Sequence, residues 1–463
     1  MRVSVIGAGI VGVSTAIWLQ RAGHDVTLID REGPAAGASF GNGGVLASAG
    51  IVPVTTPGLV RRVPGMLLRA DAPLFLKWRY LPRALPWLVR YLRHANAEDA
   101  ARRAAAIAPI IGDSLADHQA LSEGTKAATY VVPSDYIYLY DRRADFEADA
   151  FGWDLRRAHG VTWDVLGPED LRAYDPALGP RFGCGIRMGG HGRISDPGAY
   201  IAALTEHFQA EGGRLLIAAA EGFAQEGGRV TGVRLKGETL SCDAVVVATG
   251  AWSCPLAAKL GVRPPLETER GYHLELWKPS SMPRAPLMLA SAKFVVTPME
   301  GRIRLAGIVE IGGLDDAPSE APIRLLERGI RAAMPGLSWE RQTSWLGHRP
   351  AMADSIPVIG EVPALKGAFL GFGHDHVGLT GGPKTGRILA QLVGGQTPNI
   401  DLAPYAPGRF AGGMRAWERE GRELRALRRG QRLRAKDWEP KAERPPCRCP
   451  AQERGDEATC FPP

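Results

Sequence analysis

The sequence has few cysteines, and none of them is spaced as in a metal site. Six cysteines occur in 463 residues, three scattered through the body and three close to the C-terminus. Disulfide-rich secreted domains and zinc modules use cysteine more densely and at short, regular spacings. The pattern therefore excludes a disulfide scaffold, and we expect free thiols in a reducing, cytoplasmic compartment.

Long apolar runs are also missing from the sequence. No stretch reaches the ~18 consecutive apolar residues that a membrane-spanning helix requires. Met1 is followed within two residues by a predicted strand, so we expect no cleavable signal peptide. We therefore do not expect a helical integral membrane protein.

Outside its C-terminal part, the chain carries little net charge. Of 56 Lys and Arg and 49 Asp and Glu residues, the segment from Ala406 onward holds 14 and nine, respectively. The body is close to neutral, so the net charge of +7 does not indicate a nucleic-acid partner. Dense charge and low hydrophobicity predict a disordered or irregular tail at 411–463.

Glycine, by contrast, is abundant, and its placement near the N-terminus carries the clearest functional signal. Gly7, Gly9 and Gly12 follow the short apolar segment 3–6 and precede a predicted helix. This spacing is typical of an adenine dinucleotide site: the glycines permit a tight turn, a close approach of the pyrophosphate and close helix packing, in that order. Asp30 ends the next apolar segment and is expected to accept hydrogen bonds from the ribose hydroxyls. The motif leaves open whether the dinucleotide is FAD or NAD.

Two further segments are expected to reach the same nucleotide. The glycine-rich stretch 37–44 is either a flexible connector or a run of backbone N–H groups that wraps the cofactor. Its position directly after Asp30 favours the second interpretation. The uninterrupted apolar segment 244–248, which leads to Gly250, is typical of a buried parallel strand of the same fold.

Two more predictions concern the organisation of the chain. The segments 215–219 and 230–235 predict a β-hairpin. The last unit is predicted to be a strand at 368–372, a glycine-rich loop at 373–382 and a helix through Leu392.

The order of these motifs resembles the glycine oxidase / D-amino-acid oxidase superfamily of FAD enzymes, and most closely its bacterial D-amino-acid dehydrogenase branch. The resemblance covers about residues 2–410 of the chain. It rests on the segments 5–12, 39–44, 269–273, 347–350, 354–360 and 373–380.

The resemblance implies FAD rather than NAD as the cofactor. It also implies an α/β fold, in which a Rossmann-type FAD-binding domain is interleaved with an α+β substrate domain built on a mainly antiparallel sheet. We expect residues 1–50, 155–255 and 346–410 to form the FAD-binding domain, and residues 51–154 and 256–345 the substrate domain. The expected cofactor-binding residues are Gly7, Gly9, Gly12, Asp30, Ser39, Asn42, Gly43, Gly44, Gly250, Gly378, Leu379 and Thr380.

The resemblance further implies a reaction, the oxidation of the C–N bond of a D-amino acid or a cyclic imino acid by hydride transfer to flavin N5. Arg349 is expected to bind the substrate carboxylate through its bidentate guanidinium. Tyr272 is expected to face the pocket as a hydrogen-bond donor or lid, with His273 pointing away. His374 is the third candidate for a catalytic role. The segment 270–273 is more similar to hydroxyproline-type relatives than to alanine-preferring dehydrogenases.

Several alternatives stay open at the level of the sequence. His374 and His376 lie two apart in a glycine-rich loop, but without a third ligand nearby we expect no metal site.

The mixed basic and apolar segment 58–94 forms either ordinary surface helices or a peripheral membrane contact. A membrane contact would suit a quinone or another electron carrier as acceptor. The chain is either a self-sufficient enzyme or the flavin-carrying subunit of a multi-subunit amine or imino-acid dehydrogenase, and its oligomeric state is not indicated.

Overall fold

Helices and strands alternate along the computed structural model, which describes residues 1–67 and 74–410. The helices are α1 (Ile10–Arg21), α2 (Leu59–Leu67), α3 (Leu81–Arg93), α4 (Ala97–Ile111), α5 (Ser114–Ser122), α6 (Arg143–Ala148), α7 (Ala150–Ala158), α8 (Pro168–Tyr174), α9 (Pro197–Ala210), α10 (Ser253–Lys259), α11 (Glu320–Ala333) and α12 (Gly378–Val393). The strands are β1 (Arg2–Ile6), β2 (Asp25–Asp30), β3 (Val45–Leu46), β4 (Leu74–Leu76), β5 (Val131–Tyr140), β6 (Asp164–Leu166), β7 (Cys184–Ile194), β8 (Arg214–Ile217), β9 (Gly222–Glu226), β10 (Arg229–Leu235), β11 (Glu238–Ser241), β12 (Ala244–Val247), β13 (Leu266–Trp277), β14 (Leu287–Leu289), β15 (Phe294–Met299), β16 (Arg302–Ile311), β17 (Arg341–Met352), β18 (Val358–Glu361) and β19 (Ala368–Phe372). The expected tail at 411–463 and a short part of the segment 58–94 lie outside the described residues.

The first sheet has six strands in the order β18-β19-β12-β1-β2-β8. Its neighbours pair in parallel, except for the antiparallel pair of β18 and β19 at one edge. Central strands are short apolar runs because both faces are covered. Val246 packs into the core on the side of α1 and α12, whereas Val245 and Val247 pack into the core on the other side. This doubly covered parallel sheet confirms the nucleotide-binding architecture predicted from the sequence.

The second sheet has ten strands and is mainly antiparallel, as expected. Its path runs β17-β13-β16-β15-β14-β5-β7-β3, with β4 beside β16 and β6 beside β7. The pairs β14–β5 and β16–β4 are parallel. Helix α11 covers one face, where Leu326 and Ile330 join the apolar residues of the central strands. The long antiparallel pair β13–β17 carries Tyr272 and Arg349, which line a cavity.

The predicted hairpin of segments 215–219 and 230–235 is wrong. Strand β8 instead adds in parallel to β2, and β10 pairs with β9 and β11 in a separate three-stranded sheet. An apolar strand pattern predicts a strand but does not choose between a neighbouring antiparallel partner and a distant parallel one.

Several strands also cross the expected division into domains. β3, β6 and β7 lie in segments that we assigned to the FAD-binding domain, yet they belong to the larger sheet, and β17 spans the expected boundary at residue 346. β7 pairs along its length with β5, which satisfies backbone N–H and C=O groups of both strands. The exact domain boundaries therefore stay a prediction.

Within residues 1–67 and 74–410, none of the helices combines the length and the apolar character that a membrane span requires. Cys184 and Cys242 are buried free thiols, and Cys254 is a partly exposed one. The thiols of the described part are thus free, as expected.

Candidate active site

A cavity of about 1360 Å³ is lined by residues of both sheets. This volume exceeds the ~300–1,000 Å³ of common small-molecule pockets and suits an extended cofactor together with a small substrate. Most of the expected site residues line it, namely Gly7, Gly9, Asp30, Ser39, Asn42, Gly43, Gly250, Tyr272, Arg349, His374, Gly378, Leu379 and Thr380. Gly12 and Gly44 do not line the cavity.

The three N-terminal glycines have different physical roles. Gly7 has φ +107°, and a Cβ there would lie 2.4 Å from Ala248 O. A Cβ at Gly12 would lie 1.7 Å from Gly7 O, so this glycine permits the close packing of α1 on the turn. Gly9 lines the cavity itself. Gly7 lines the cavity as well, but its positive φ and its contact with Ala248 show that it shapes the turn, as Gly12 does, which leaves Gly9 for the direct approach of a ligand.

Two side chains hold the turn between β1 and α1. The Asp30 carboxylate accepts hydrogen bonds from Ala8 N at 2.8 Å through Oδ2 and from Gly33 N at 3.0 Å through Oδ1. Ser39 Oγ accepts one from Ile10 N at 3.1 Å, in the first turn of α1. Asp30 therefore orders the turn, and its binding of a ribose stays a prediction.

Two helix N-termini lie side by side at the cavity. A Cβ at Gly382 would lie 2.8 Å from Ile10 Cγ1, and a Cβ at Gly386 would lie 2.6 Å from Ser14 Cβ. Because residues four apart on α12 contact residues four apart on α1 in the same order, the helices run parallel. Their N-terminal residues line the same cavity. The partial positive charges of both N-termini suit a ligand with phosphates and an anion-forming ring, and the site therefore fits FAD.

The loop 39–44 is held in place by Arg304, which the sequence did not single out, and by His273, which we expected to point away from the pocket. Arg304 Nη1 donates hydrogen bonds to Phe40 O at 3.1 Å and to Asn42 O at 2.7 Å. His273 Nδ1 donates to Gly41 O at 3.0 Å. The loop is thus an ordered wall of the cavity rather than a flexible connector.

Arg304 is itself fixed by a buried carboxylate. Glu275 Oε1 accepts hydrogen bonds from Arg304 Nη2 at 2.7 Å and from Arg302 Nε at 2.7 Å. Although burial raises it, the pKa of Glu275 is lowered to about 2 by these two guanidinium groups. The carboxylate is ionised at physiological pH, and it keeps Arg304 directed at the loop 39–44.

Arg349 presents its guanidinium to the cavity from β17. Within the described residues it makes one hydrogen bond, from Nη1 to Ile308 O at 3.3 Å. Burial lowers the pKa of Arg349, and the Glu269 and Asp375 carboxylates raise it. A guanidinium with most of its donors unused in a cavity is suited to a carboxylate ligand.

Gly271 lies beneath this guanidinium, and the contact leads to a prediction. A Cβ at 271 would lie 2.5 Å from Arg349 Cζ and 2.7 Å from both Nη atoms. We expect Gly271→Ala to displace the flexible guanidinium and to raise the KM for an acidic amino substrate by about tenfold or more, with little loss of stability. Steady-state kinetics and thermal unfolding measure the two effects. Gly336→Ala is the matched control, because no atom lies within 4 Å of a Cβ there. An unchanged KM in Gly271→Ala would count against Arg349 as the anchor.

Tyr272 lines the cavity as expected, but its hydroxyl group already has partners. The hydroxyl donates to Glu310 Oε2 at 2.7 Å and accepts from Ser319 N at 2.8 Å. The single hydroxyl proton is thus engaged within the protein, and the role of Tyr272 as a hydrogen-bond donor or lid stays a prediction. His273 does not line the cavity, but it is buried against the loop 39–44 rather than exposed.

His374 lies in the cavity wall and is held by α12. Its Nε2 is 2.9 Å from Thr385 Oγ1. Burial lowers the pKa of His374 to about 4, so the ring is neutral at physiological pH. Its catalytic role stays a prediction. In the part of the chain that the structure describes, no cluster of three His, Cys, Asp or Glu side chains is arranged to hold a metal ion.

Comparison with known proteins places these features in context. A family model described as DAO, FAD dependent oxidoreductase, matches residues 2–392. The D-amino-acid oxidase of Bradyrhizobium diazoefficiens is 40% identical over 415 residues, which cover 88% of this chain and 98% of that protein. A D-amino acid dehydrogenase of the same species is 30% identical over 430 residues, covering 89% and 99%. The solved glycine oxidase from Geobacillus kaustophilus matches with a TM-score of 0.67 at 21% identity, covering 88% of this chain and 99% of that one.

Proposed function

Because the chain belongs to the DAO family of FAD-dependent oxidoreductases, we propose that it oxidises the C–N bond of a D-amino acid or a cyclic imino acid. Bound FAD supplies the acceptor for the two electrons of that oxidation. The observation that carries the proposal is the Arg349 guanidinium, which faces the cavity with one internal hydrogen bond among the described residues. A planar fork of this kind binds a carboxylate in two parallel hydrogen bonds, which fixes both position and angle.

The residues proposed to hold FAD line the same cavity. Gly9 and the start of α1 are proposed to receive the pyrophosphate, and Asp30 the ribose. The loop 39–44 and the start of α12, Gly378–Thr380, are proposed to enclose the ring system. Support comes from the parallel packing of α1 and α12 and from the Arg304 contacts that order the loop.

The substrate class is supported by the names of similar proteins. The relatives at 40% and 30% identity are named D-amino-acid oxidase and D-amino acid dehydrogenase. We include cyclic imino acids because the segment 270–273 resembles that of hydroxyproline-type relatives. In this proposal Tyr272 and His374 shape the wall around the substrate, since the polar atoms of both are bonded within the protein.

We propose that a quinone or another membrane-side carrier, rather than oxygen, accepts the electrons. On α3 the side chains of Leu85 and Val89 are 49% and 42% exposed, and Trp78, just before it, is 62% exposed. Arg83 and Arg90 are exposed on the same helix. Apolar and basic side chains in one region suit peripheral contact with a membrane interface.

The choice of acceptor gives a direct prediction. With substrate, air and a soluble quinone analogue present together, we expect the quinone to be reduced at nearly the rate of substrate consumption. Peroxide should then account for a small fraction of the substrate, as measured with a peroxidase-coupled assay. Peroxide formed at the full rate of substrate consumption, with quinone present, would show that oxygen is the acceptor.

Dye reduction by the purified chain tests the function itself. The assay compares D-amino acids, their L-enantiomers, cyclic imino acids and amines that lack a carboxylate. We expect reduction with members of the first or third group and little with the amines. Catalysis by the chain alone contradicts the alternative of a flavin-carrying subunit that needs partner chains. Failure with every amino and imino acid, in a preparation that retains FAD, contradicts the proposal.

A further inference from the structure

Two buried carboxyl groups lie beside the Arg349 guanidinium in the cavity wall. Glu269 is 5% exposed and Asp375 is 7% exposed, and both line the cavity together with Arg349. Neither residue has a role in the site as described so far. Acidic side chains are rarely buried without a partner, so their position requires an explanation.

Glu269 and Arg349 face each other on neighbouring strands. They are directly opposite partners in the antiparallel pair β13–β17. Such partners have Cβ atoms about 4.5–5.5 Å apart, yet no ion pair joins the two side chains among the described contacts. The wall therefore presents a cation and a carboxyl group side by side, each with capacity for a further partner.

Asp375 supplies the second carboxyl group and lies within hydrogen-bonding reach of the Glu269 carboxyl. Its Oδ1 is buried and accepts from no N–H or hydroxyl group of the described residues, whereas Oδ2 lies 3.6 Å from His376 Nδ1. The residue has φ +52°, a left-handed conformation that is uncommon outside glycine, although Asp and Asn adopt it more readily than other residues. Backbone conformations of this kind concentrate at functional sites.

The two groups share one proton near neutral pH. Burial and the charge of Asp375 raise the pKa of Glu269 to about 8. For Asp375, burial acts in the same direction, but His376, Arg349 and Arg103 lower its pKa overall. Glu269 is therefore the member that holds the proton, and Asp375 is the ionised one.

An α-amino acid matches this arrangement in charge and spacing. Its carboxylate and its ammonium group are attached to the same carbon, so they require an anion site and a cation site in direct proximity. We propose that Glu269 and Asp375 form the subsite that binds the ammonium group of the substrate and accepts a proton from it, while Arg349 binds the carboxylate. The proposal rests on the proposed amino-acid oxidation and adds the recognition of the nitrogen.

The proton transfer is a balanced acid–base step. An N–H bond of the ammonium group breaks, its electron pair stays on nitrogen, and an O–H bond forms on an ionised oxygen of the pair. No oxidant takes part in this step. It leaves a neutral amine, whose lone pair assists the later loss of hydride from the adjacent carbon.

Paired ligands test the subsite without requiring turnover. D-Alanine carries an ammonium group and a carboxylate, whereas propionate carries only the carboxylate. Under anaerobic conditions, propionate binding is measured from the perturbation of the flavin spectrum. D-Alanine binding is measured from the concentration at which the rate of flavin reduction saturates, or from the same spectral perturbation where no reduction occurs. For Glu269→Gln and for Asp375→Asn we expect the dissociation constant of D-alanine to rise about 10- to 100-fold. The dissociation constant of propionate should change less than about threefold, because its one charged group binds Arg349.

Both variants are conservative enough to keep the fold. Glutamine has the shape of the protonated Glu269, and asparagine tolerates the left-handed conformation of residue 375. Glu267→Gln is the matched control on the same strand, because Glu267 bonds the Tyr80 hydroxyl and does not line the cavity. FAD content and thermal unfolding verify that each variant is folded.

The outcomes separate this inference from the proposed function. Suppose that wild type oxidises D-amino acids, but that the variants lose affinity for D-alanine and propionate equally or keep both affinities. The proposed ammonium subsite is then wrong, and the proposed function stands. If wild type oxidises no amino or imino acid, the proposed function fails. The ratio of the two dissociation constants is measurable in either case.

A pH profile gives a second readout. The groups that face the pair are Arg349, His376, Arg103 and Tyr91. The pKa of Glu269 is raised to about 8, and this carboxyl accepts a proton only when ionised. Although burial lowers it, the pKa of His376 is raised overall by Asp375, so the Glu269 contribution is the part of the profile that differs between wild type and Glu269→Gln. The rate of flavin reduction should therefore rise with pH through this region in wild type and lose that rise in Glu269→Gln. An identical profile in both proteins would contradict proton transfer to Glu269 and would leave Asp375 as the acceptor.

Discussion

Replacing Arg349 with alanine is expected to raise the KM for acidic amino substrates by about 30-fold or more, while FAD stays bound. Removal of one partner of a desolvated charge pair costs ~2–5 kcal/mol of binding, and each 1.4 kcal/mol is about tenfold. The residues proposed to bind FAD do not include Arg349, so the FAD content of the variant should be that of wild type. Steady-state kinetics together with FAD quantification measure both effects.

Two further variants make this result specific. Arg349→Lys keeps the charge but loses the planar fork, so its KM should fall between wild type and Arg349→Ala. Arg341→Ala, an exposed arginine on the same strand, is the matched control and should leave the KM unchanged. Arg270 is not an alternative anchor in this structure, because it is fully buried and its Nη2 donates to Asp316 O and Ala317 O. A wild-type KM in Arg349→Ala would refute the anchor.

A Gly9→Val protein is expected to fold but to lose its FAD. Gly9 has φ −77°, which a branched residue adopts without strain, so the substitution acts through space and not through the backbone. The added side chain would enter the cavity at the start of α1 and press on Ser39 Oγ, which lies 3.2 Å from the Cβ position. The pyrophosphate needs that space. FAD released by denaturation should fall from one per chain in wild type to a trace.

The control for this variant is a valine introduced at a glycine without neighbours. Gly336→Val adds the same side chain where no atom lies within 4 Å of the Cβ, and it should retain its FAD. Far-UV circular dichroism of Gly9→Val should match wild type. A Gly9→Val protein that purifies with stoichiometric FAD would mean that the dinucleotide lies elsewhere.

Local motifs explain why much of the nucleotide side could be predicted. The turn at Gly7 to Gly12 and the strand β12 with Gly250 depend on residues within a few positions of each other. Glycine spacing and apolar runs report such short-range geometry directly. The same reasoning failed for β8, because its partner β2 lies far away in the sequence. Pairing over long distances depends on the whole sheet and not on the strand itself.

The substrate side was predicted less completely for a related reason. Arg349 was found through family resemblance, but its neighbours Glu269 and Asp375 come from a strand and a loop that only the folded chain brings together. The role of Arg304 was hidden in the same way, since its contact with the loop 39–44 joins residues that lie far apart in the sequence. The sequence offered little signal for Glu269, because β13 also carries Glu267, Arg270, His273 and Glu275, so this one acid does not stand out.

Anaerobic mixing of the FAD-loaded protein with single amino compounds tests the central claim most directly. The claim is that this cavity binds an amino or imino acid through its carboxylate and passes its electrons to FAD. The account predicts complete bleaching of the flavin absorbance by a D-amino acid or a cyclic imino acid, with one oxo acid or cyclic imine formed per flavin. It predicts no bleaching by the corresponding amine without a carboxylate. Bleaching by that amine at the same rate, or no bleaching by any amino or imino acid, would contradict the account.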